Sequence, residues 1–328
     1  MASDKKLGRW LYNNREALNL QVLQGRWVDE WLPGYQDLRV EITLDHKIYN
    51  GRGVDRDTDM ALIKAGAEAI ERFACDKYGI HSSGVASHIT ERQAKENARL
   101  ELLERDGFLC HFYTKTPFEE VPDDVKEALN FDFIQNRLCG LGVEIVLKKV
   151  NQTSPLIAVC LARRKGSTSN FQAIVGLGAN KEILIACEKA LIECLSNVVW
   201  RLEQNDFPSI GIEDFQAIEN HGPKDHQKLY MSEEFKGDLQ WAFQKKMEAQ
   251  DNSKSFEENN PFDYRELNLD HELVREAPLW IYQCLSSKVQ NLNYGPPKKE
   301  HINWNRLREF TGLAFEDSQL NVFPHPIG

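Results

Sequence analysis

Apolar and polar residues alternate along Leu38-Arg39-Val40-Glu41-Ile42-Thr43-Leu44, the period of a strand with one face buried. Asn50-Gly51 and Gly53 interrupt that pattern. A helical period then runs from about Thr58 to Lys77, with Asp55 to Asp59 supplying acidic capping residues at its start. After the small, turn-prone run His81 to His88, a second helix is expected from about Thr90 to Arg105, with Thr90 as N-cap and Gln93 completing a capping box. A third helical stretch reads from Pro122 to Cys139, ending at Gly140, and a fourth from Lys181 to Glu203. Strand-like runs fall at Val143–Val150, Leu156–Ala162, Phe171–Val175, Leu279–Cys284 and Lys288–Leu292. Ser232 to Gln250 is helical and polar, residues 251–261 read as an exposed loop, and Pro324 and Pro326 hold the tail 323–328 extended. No domain boundary stands out. The fold class expected is α+β: one domain spanning 1–328, with 1–36 as an N-terminal extension.

Composition narrows the classes. Apolar residues make up 41% and aromatics 10% of 328 residues, enough for a sizeable core and too many for a disordered chain. The formal charge of −10 argues against a general nucleic-acid binder. The longest apolar run, Pro155 to Ala162, is far too short to span a bilayer, and no apolar signal region follows the polar start, so a cytoplasmic setting without membrane contact is expected. Cys75, Cys110, Cys139, Cys160, Cys187, Cys194 and Cys284 are scattered singly, as expected of reduced, buried thiols rather than a disulfide framework or a zinc site.

The chemistry lies in a repeated pattern on the helices. Ala61, Ala65 and Glu68 share the spacing of Ala94, Ala98 and Glu101, and of Ala186, Ala190 and Glu193. Offsets of four and seven fall on one helical face, so each helix carries two small residues below a carboxylate, and these faces are expected to pack together rather than face water. In two helices the pattern continues to a second acid and a base: Glu68, Glu71 and Arg72 repeat Glu101, Glu104 and Arg105. Either segment alone reads more readily as a solvated helix face, against which stands the alanine face beneath each first glutamate. If the faces converge, each carboxylate pair at 4–5 Å repels by about 3–4 kcal/mol at an effective dielectric near 20. Such acids must take up protons or bind cations. Oxygen donors without Cys or ligand-spaced His select hard ions, Mg²⁺ before zinc, and Mg²⁺ held by carboxylates commonly bridges to phosphates, which Arg72 or Arg105 could grip as a fork. That reading reaches a Mg–nucleotide site without a Walker loop, for no G-x-x-x-x-G-K-[ST] occurs, and Gly176-Leu177-Gly178-Ala179-Asn180 is weak evidence for a phosphate cradle.

At these residues the chain resembles the YcaO family. The matching blocks are GRGVDRDTDMALIKAGAEAIER (51–72), SSGVASHITERQAKENARLELLERD (82–106), GLGANKEILIACEKALIE (176–193) and the ending PHPIG (324–328). The resemblance implies a YcaO-like domain of mixed and antiparallel sheets packed with helices that carry the ATP–Mg²⁺ site. It implies an ATP- and Mg²⁺-dependent enzyme that activates peptide backbone amides, as a cyclodehydratase forming azolines from Cys, Ser or Thr of a ribosomally made peptide. Thioamide formation, help to a sulfur-modifying system, or a non-catalytic scaffold are the alternatives. By position, Glu68, Glu71, Glu101 and Glu104 match the metal-binding acids; Lys64, Arg72, Asn97, Arg105 and Lys189 match nucleotide-contacting places; Arg105 and Gly328 match the catalytic ones, the last through a tail directed at the active site. Glu193 fits a structural or a cleft-lining role.

Departures from the family's pattern are Lys64 where many members have Ser, His88 for a glycine, Ile89 for Asn and Gln93 for Glu, which weaken ribose or phosphate contacts on that side. Lys189 stands for Arg, and the tail lacks a full P-x-P-x-P ending. With no length before residue 38 for a leader-recognition domain, the partners implied are a precursor peptide and a separate leader-binding protein of winged-helix type. A flavin dehydrogenase is compatible with this, as is assembly into a homodimer or a heteromeric complex.

Overall fold

The computed structural model describes residues 4–25, 27–151, 155–165, 171–203, 208–232, 239–244 and 262–327. In chain order its principal elements are α1 (Asp4–Asn13), β1 (Gln21–Gly25), α2 (Trp27–Trp31), β2 (Gln36–Leu44), β3 (Lys47–Asp55), α3 (Thr58–Tyr78), β4 (Val85–His88) and α4 (Glu91–Thr114). They continue with β5 (Glu119–Glu120), α5 (Asp123–Ala128), α6 (Phe131–Gly140), β6 (Val143–Lys149), β7 (Leu156–Arg164), β8 (Ile174–Asn180) and α7 (Ile183–Glu203). Then come α8 (Ile212–Gln216), α9 (Pro223–Tyr230), α10 (Gln240–Phe243), β9 (Asp263–Glu266), β10 (Trp280–Leu285) and α11 (Trp304–Thr311). The chain divides into two compact units: residues 1–102 with 261–286, and residues 103–260 with 287–328. The α+β class read from the sequence is the one the chain adopts, and every strand pair described is antiparallel.

Unit 1 holds a sheet of order β1-β2-β3 and another of order β4-β10-β9. Its core joins Val40 and Ile42 of β2 to Ala65, Ala69, Ile70 and Phe73 of α3, and Leu7, Leu11 and Leu18 from the N-terminal segment belong to it. Asp57 caps α3, accepting from the amides of Asp59 and Met60 at 2.8 and 3.1 Å, and Gly79, with φ of 61°, ends it.

Unit 2 holds a sheet of order β5-β6-β7-β8 with α7 packed on β7 and β8. The aromatic core clusters at Phe108, Phe112 and Phe118, where the His111 ring stacks on Phe118 at 4.3 Å. Here a buried ion pair, Arg306 Nη2 to Asp106 Oδ2 at 2.7 Å, fixes α11, and Asp106 also accepts the Gln290 amide at 2.7 Å.

The β1-β2-β3 sheet and the β5-β6-β7-β8 sheet share one construction. In β3, Gly51 and Gly53 lie so close to α3 that a Cβ on either would collide with the carbonyl oxygen of Ala65 or Ala61. In β8, Gly176 and Gly178 lie the same way against the carbonyl oxygens of Ala190 and Ala186. The small helix faces therefore pack on strand backbone, and the glycine pair that resembled a phosphate cradle is a packing seam. Both strands are sheet edges, and the residue between the glycines directs its N–H outward: Arg52 N donates to Glu68 Oε2 and Leu177 N to Glu193 Oε2, each at 2.7 Å. Lys64 Nζ reaches Val54 O at 3.3 Å and Lys189 Nζ reaches Ala179 O at 3.4 Å, so the cations repeat too. Helix α4 has Ala94 and Ala98 buried but no such strand before it.

Several boundaries moved. The second helix runs on to Thr114 because Phe108, Leu109 and Phe112 continue its apolar face. The third stretch is two helices, broken where Asn130 takes φ of 50°. The strand read at Phe171–Val175 begins at Ile174 and extends through the glycines. Lys288–Leu292 is no strand: its Gln290 amide goes to Asp106 and its Gln290 side chain to Asn291 O and His301 O. Of Ser232–Gln250, only Gln240–Phe243 is helical among the described residues, and the loop 251–261 lies outside them. Cysteines are free thiols, buried except Cys139, and no helix among the described residues is long and apolar enough to cross a membrane.

Gly53→Ala and Gly178→Ala each force a methyl into a helix carbonyl and should destabilise the chain by about 1–3 kcal/mol. Gly140→Ala, with nothing within 4 Å of the new methyl, should be neutral. Urea unfolding midpoints check all three.

Candidate active site

Glu68, Glu71, Arg72, Lys64, Asn97 and Glu101 belong to unit 1, and Glu104, Arg105, Lys189 and Glu193 to unit 2. In unit 1, Glu68 is taken twice: its Oε2 by the Arg52 amide and its Oε1 by Arg72 Nη2 at 2.6 Å. Glu71, one turn on, is desolvated by its surroundings, which pushes its carboxyl up to about 8; the nearby Glu68 adds to the rise, against hydrogen bonds from Ser87 and the charge of Arg72. Burial likewise raises the Cys75 thiol to about 12, with the negative charges of Glu71 and Glu101 reinforcing the rise. Lys64 is exposed and paired with Asp55 at 2.6 Å, and Asn97 accepts from Gln93 at 2.8 Å, so Gln93 does not turn back to close a capping box. His88 Nδ1 instead receives the Thr90 amide at 3.1 Å, a local turn contact.

Unit 2 repeats the electrostatics. Glu104 is 12% exposed, and burial pushes its carboxyl up to about 7, with Glu193 raising it further and Arg105, Lys189 and the Ala179 backbone opposing. Arg105, 17% exposed, stands 3.8 Å from Glu104. One helix, α4, carries Glu101 and Glu104 three residues apart. Neither acid group is an ordinary solvated helix face. Gly328 lies outside the described residues.

Among the described residues no group of three or more His, Cys, Asp or Glu side chains is placed as a metal cage. Mg²⁺ does not require one: it keeps several waters and binds one or two carboxylates plus substrate phosphates. Desolvated carboxylates beside Arg and Lys suit that ion, whose charge would replace the proton each acid otherwise keeps.

Sequence reasoning singled out Glu193 for a structural or cleft-lining role but missed the other residues around Arg105. Glu193, Asn197 and Arg201 of α7 line a pocket with Arg105 and Gln227 of α9, and Pro326 and Ile327 of the tail form part of its wall. The spacing of Glu193, Asn197 and Arg201 is the one available signal, while the tail and α9 are too distant in sequence to be linked by pattern.

An α+β chain that buries acids of this kind beside cations is of a class that handles divalent ions and phosphate. A family model described as YcaO cyclodehydratase, ATP- and Mg²⁺-binding, matches residues 78–267, more than half of the sequence, and the chain belongs to the YcaO family. The family so described binds ATP and Mg²⁺. No curated protein matches it by sequence. Among solved structures it is similar to a heterocyclase in complex with substrate and cofactor, with a TM-score of 0.66 and 11% identity over 98% of this chain and 57% of that one. It is also similar to the E. coli microcin synthetase McbBCD complex (TM-score 0.58, 11% identity, 92% of this chain and 96% of that one). A third is YcaO from Methanopyrus kandleri bound with AMPPCP and Mg²⁺ (TM-score 0.56, 12% identity, 90% and 96%). The chain thus spans 57% of the length of the first of these, and the likeness concerns fold.

The acid pair sets a pH dependence. Between the ordinary carboxyl value of 4.5 and about 8, folded protein binds more protons than unfolded, because Glu71 and Glu104 hold theirs longer. Without divalent ions, stability should therefore fall as pH rises from 5 to 8, by on the order of 1–3 kcal/mol in all. Urea midpoints across that range should show a shallower fall in Glu71→Gln and in saturating Mg²⁺.

Proposed function

We propose that the chain activates backbone amides of a ribosomally made peptide at the expense of ATP, cyclising Cys, Ser or Thr onto the preceding carbonyl to give an azoline. The observation that carries this reading is the pair of desolvated acids, Glu71 and Glu104, on the doubled E-x-x-E-R helices of a YcaO family member. In the net reaction a C–S or C–O bond forms, the amide oxygen departs in inorganic phosphate, and ATP becomes ADP; the peptide loses one water per ring.

Glu68, Glu71, Glu101 and Glu104 are the residues to hold Mg²⁺, with Arg105, Lys64, Asn97, Lys189 and Arg72 as nucleotide contacts. When bound, Mg²⁺ neutralises charge on the transferring phosphoryl group, and ATP makes the amide oxygen a leaving group. Arg105 offers a planar fork to phosphate oxygens, a geometry no lysine reproduces. Burial of Glu104 and Arg105 keeps water from competing for them. Lys64 and Arg72 are engaged with Asp55 and Glu68, exposed contacts weak enough to exchange for a phosphate oxygen.

The chain acts, on this reading, as one subunit of a synthetase. The solved relatives include a synthetase complex, McbBCD, and a heterocyclase in complex with substrate and cofactor, which supports work within a complex; the precursor peptide and a separate leader-binding partner are part of the proposal. Pro326 and Ile327 wall the Arg105 pocket, which supports a tail directed at the chemistry.

Mixing the chain with a leader-binding partner, precursor peptide and Mg-ATP should give peptide lighter by one water per ring. Glu101→Gln should abolish the loss, and Arg105→Lys should slow it by about 10²-fold or more. Gain of sulfur for oxygen would instead assign thioamide formation, and intact complexes that bind no Mg-ATP would assign a scaffold; mass spectrometry and calorimetry separate the three.

A further inference from the structure

Residues 324–327 run buried through unit 2, where a backbone must find partners for its polar groups. Pro324 and Pro326 have no N–H to satisfy, so carbonyls make up most of the demand. Just before them, Asn321 closes the end of α4. Its amide donates to Tyr113 O at 2.8 Å and its side chain to Phe112 O at 3.1 Å, both carbonyls of the last helical turn.

Helix α9 takes the next two carbonyls. Tyr230 Oη donates to Pro324 O at 2.7 Å, and His226, one turn earlier on the same helix face, donates from Nδ1 to His325 O at 2.6 Å. The other nitrogen of His226 fixes that direction: Nε2 accepts the Gly295 amide at 2.7 Å, so the proton sits on Nδ1. His325 donates in turn from Nε2 to Asn293 O at 3.0 Å, and the two imidazoles stand 4.4 Å apart. Burial pulls His226 down to about 4, with His221 adding to the fall against the bond to His325 O and the charge of Asp225. Burial also holds His325 far below its ordinary value, with His226 and Arg105 reinforcing it. Both rings are therefore neutral near pH 7, and the pattern of donors stands.

His226, Tyr230, Asn293 and Gly295 lie outside every block that carries the family resemblance. An apolar ring would fill the place of His226 without the cost of burying two polar nitrogens. What the imidazole adds is direction, with one acceptor turned to the 293–295 loop and one donor turned to the tail. Beyond that clasp, Pro326 and Ile327 stand in the wall of the Arg105 pocket.

We propose that His226 is a positioning residue which, with Tyr230, holds the tail by two successive carbonyls and so sets where Pro326 and Ile327 stand for the peptide chemistry. Its effect on rate rests on the cyclodehydration reading; the clasp itself is a property of unit 2 and is measured without turnover.

The experiment joins hydrogen exchange of the full chain, read by mass spectrometry, to the turnover assay above with its precursor peptide. In His226→Phe, amides of 321–327 should exchange faster by about tenfold or more while those of α7 keep their parent rates. In the same variant kcat should fall by about tenfold or more, with Mg-ATP affinity changed by less than about twofold. His226→Asn, whose amide N–H can replace Nδ1–H, should recover most of both losses. Tyr230→Phe, which deletes one hydroxyl, serves if His226→Phe does not fold, and should shift exchange and kcat the same way by severalfold. A tail as protected as in the parent chain, a freed tail with unchanged kcat, or loss of protection throughout unit 2 with no recovery in His226→Asn overturns the assignment. If the parent chain forms no ring, the reading of function falls, and exchange alone still decides the clasp.

Discussion

One hydrogen bond organises each half of this chain: the outward amide of an edge strand, between two glycines, donated to a helix glutamate. Arg52 to Glu68 and Leu177 to Glu193 are the two copies, both at 2.7 Å. A buried edge amide without an acceptor costs about 1–3 kcal/mol, so the carboxylate must be there. It can be there only because the glycines put no Cβ, and the alanines no more than a methyl, between strand and helix. Close approach and hydrogen bond thus require each other, and together they fix the rotation of α3 and α7 about their axes.

That rotation decides which acids are free for chemistry. With Glu68 and Glu193 committed to strand amides, the next acids, Glu71 beside Glu68 and Glu104 beside Glu193, are left in surroundings that favour the protonated form. A fold gains nothing in stability from such groups, since a desolvated carboxyl is worth less than a packed methyl in the same place. On the proposed function, a cation that is not part of the polypeptide explains their presence, and the anion that accompanies it explains the arginines and lysines beside them. Lys64 and Lys189, each reaching the backbone carbonyl just past the second glycine of its strand, show that the cationic side of this arrangement was repeated along with the acidic one.

Much of this was legible in the sequence, and the reasons for the rest are physical. The helical periods of α3, α4 and α7 and the doubled E-x-x-E-R spacing are local signals, and they located the acids and Arg105. The glycine pairs were visible but their role was not: Gly176 and Gly178 read as no more than weak evidence for a phosphate cradle, because nothing local says that a helix ten residues on will lie against them. The strand expected at Lys288–Leu292 failed for a similar reason, its amide being claimed by Asp106 from far away in the chain. His226 and His325, ninety-nine residues apart, and the placement of Arg201 in the Arg105 pocket have no sequence pattern at all, since tertiary packing alone brings them together.

If the acids are held desolvated for a divalent ion, loading that ion must expel their protons. Calorimetric titration of Mg-ATP into the chain at pH 7, repeated in buffers of different ionisation enthalpy, measures the protons released on binding. The account predicts net release, reduced in Glu71→Gln and in Glu104→Gln. Binding with no proton exchange, or release unchanged in both variants, would contradict it.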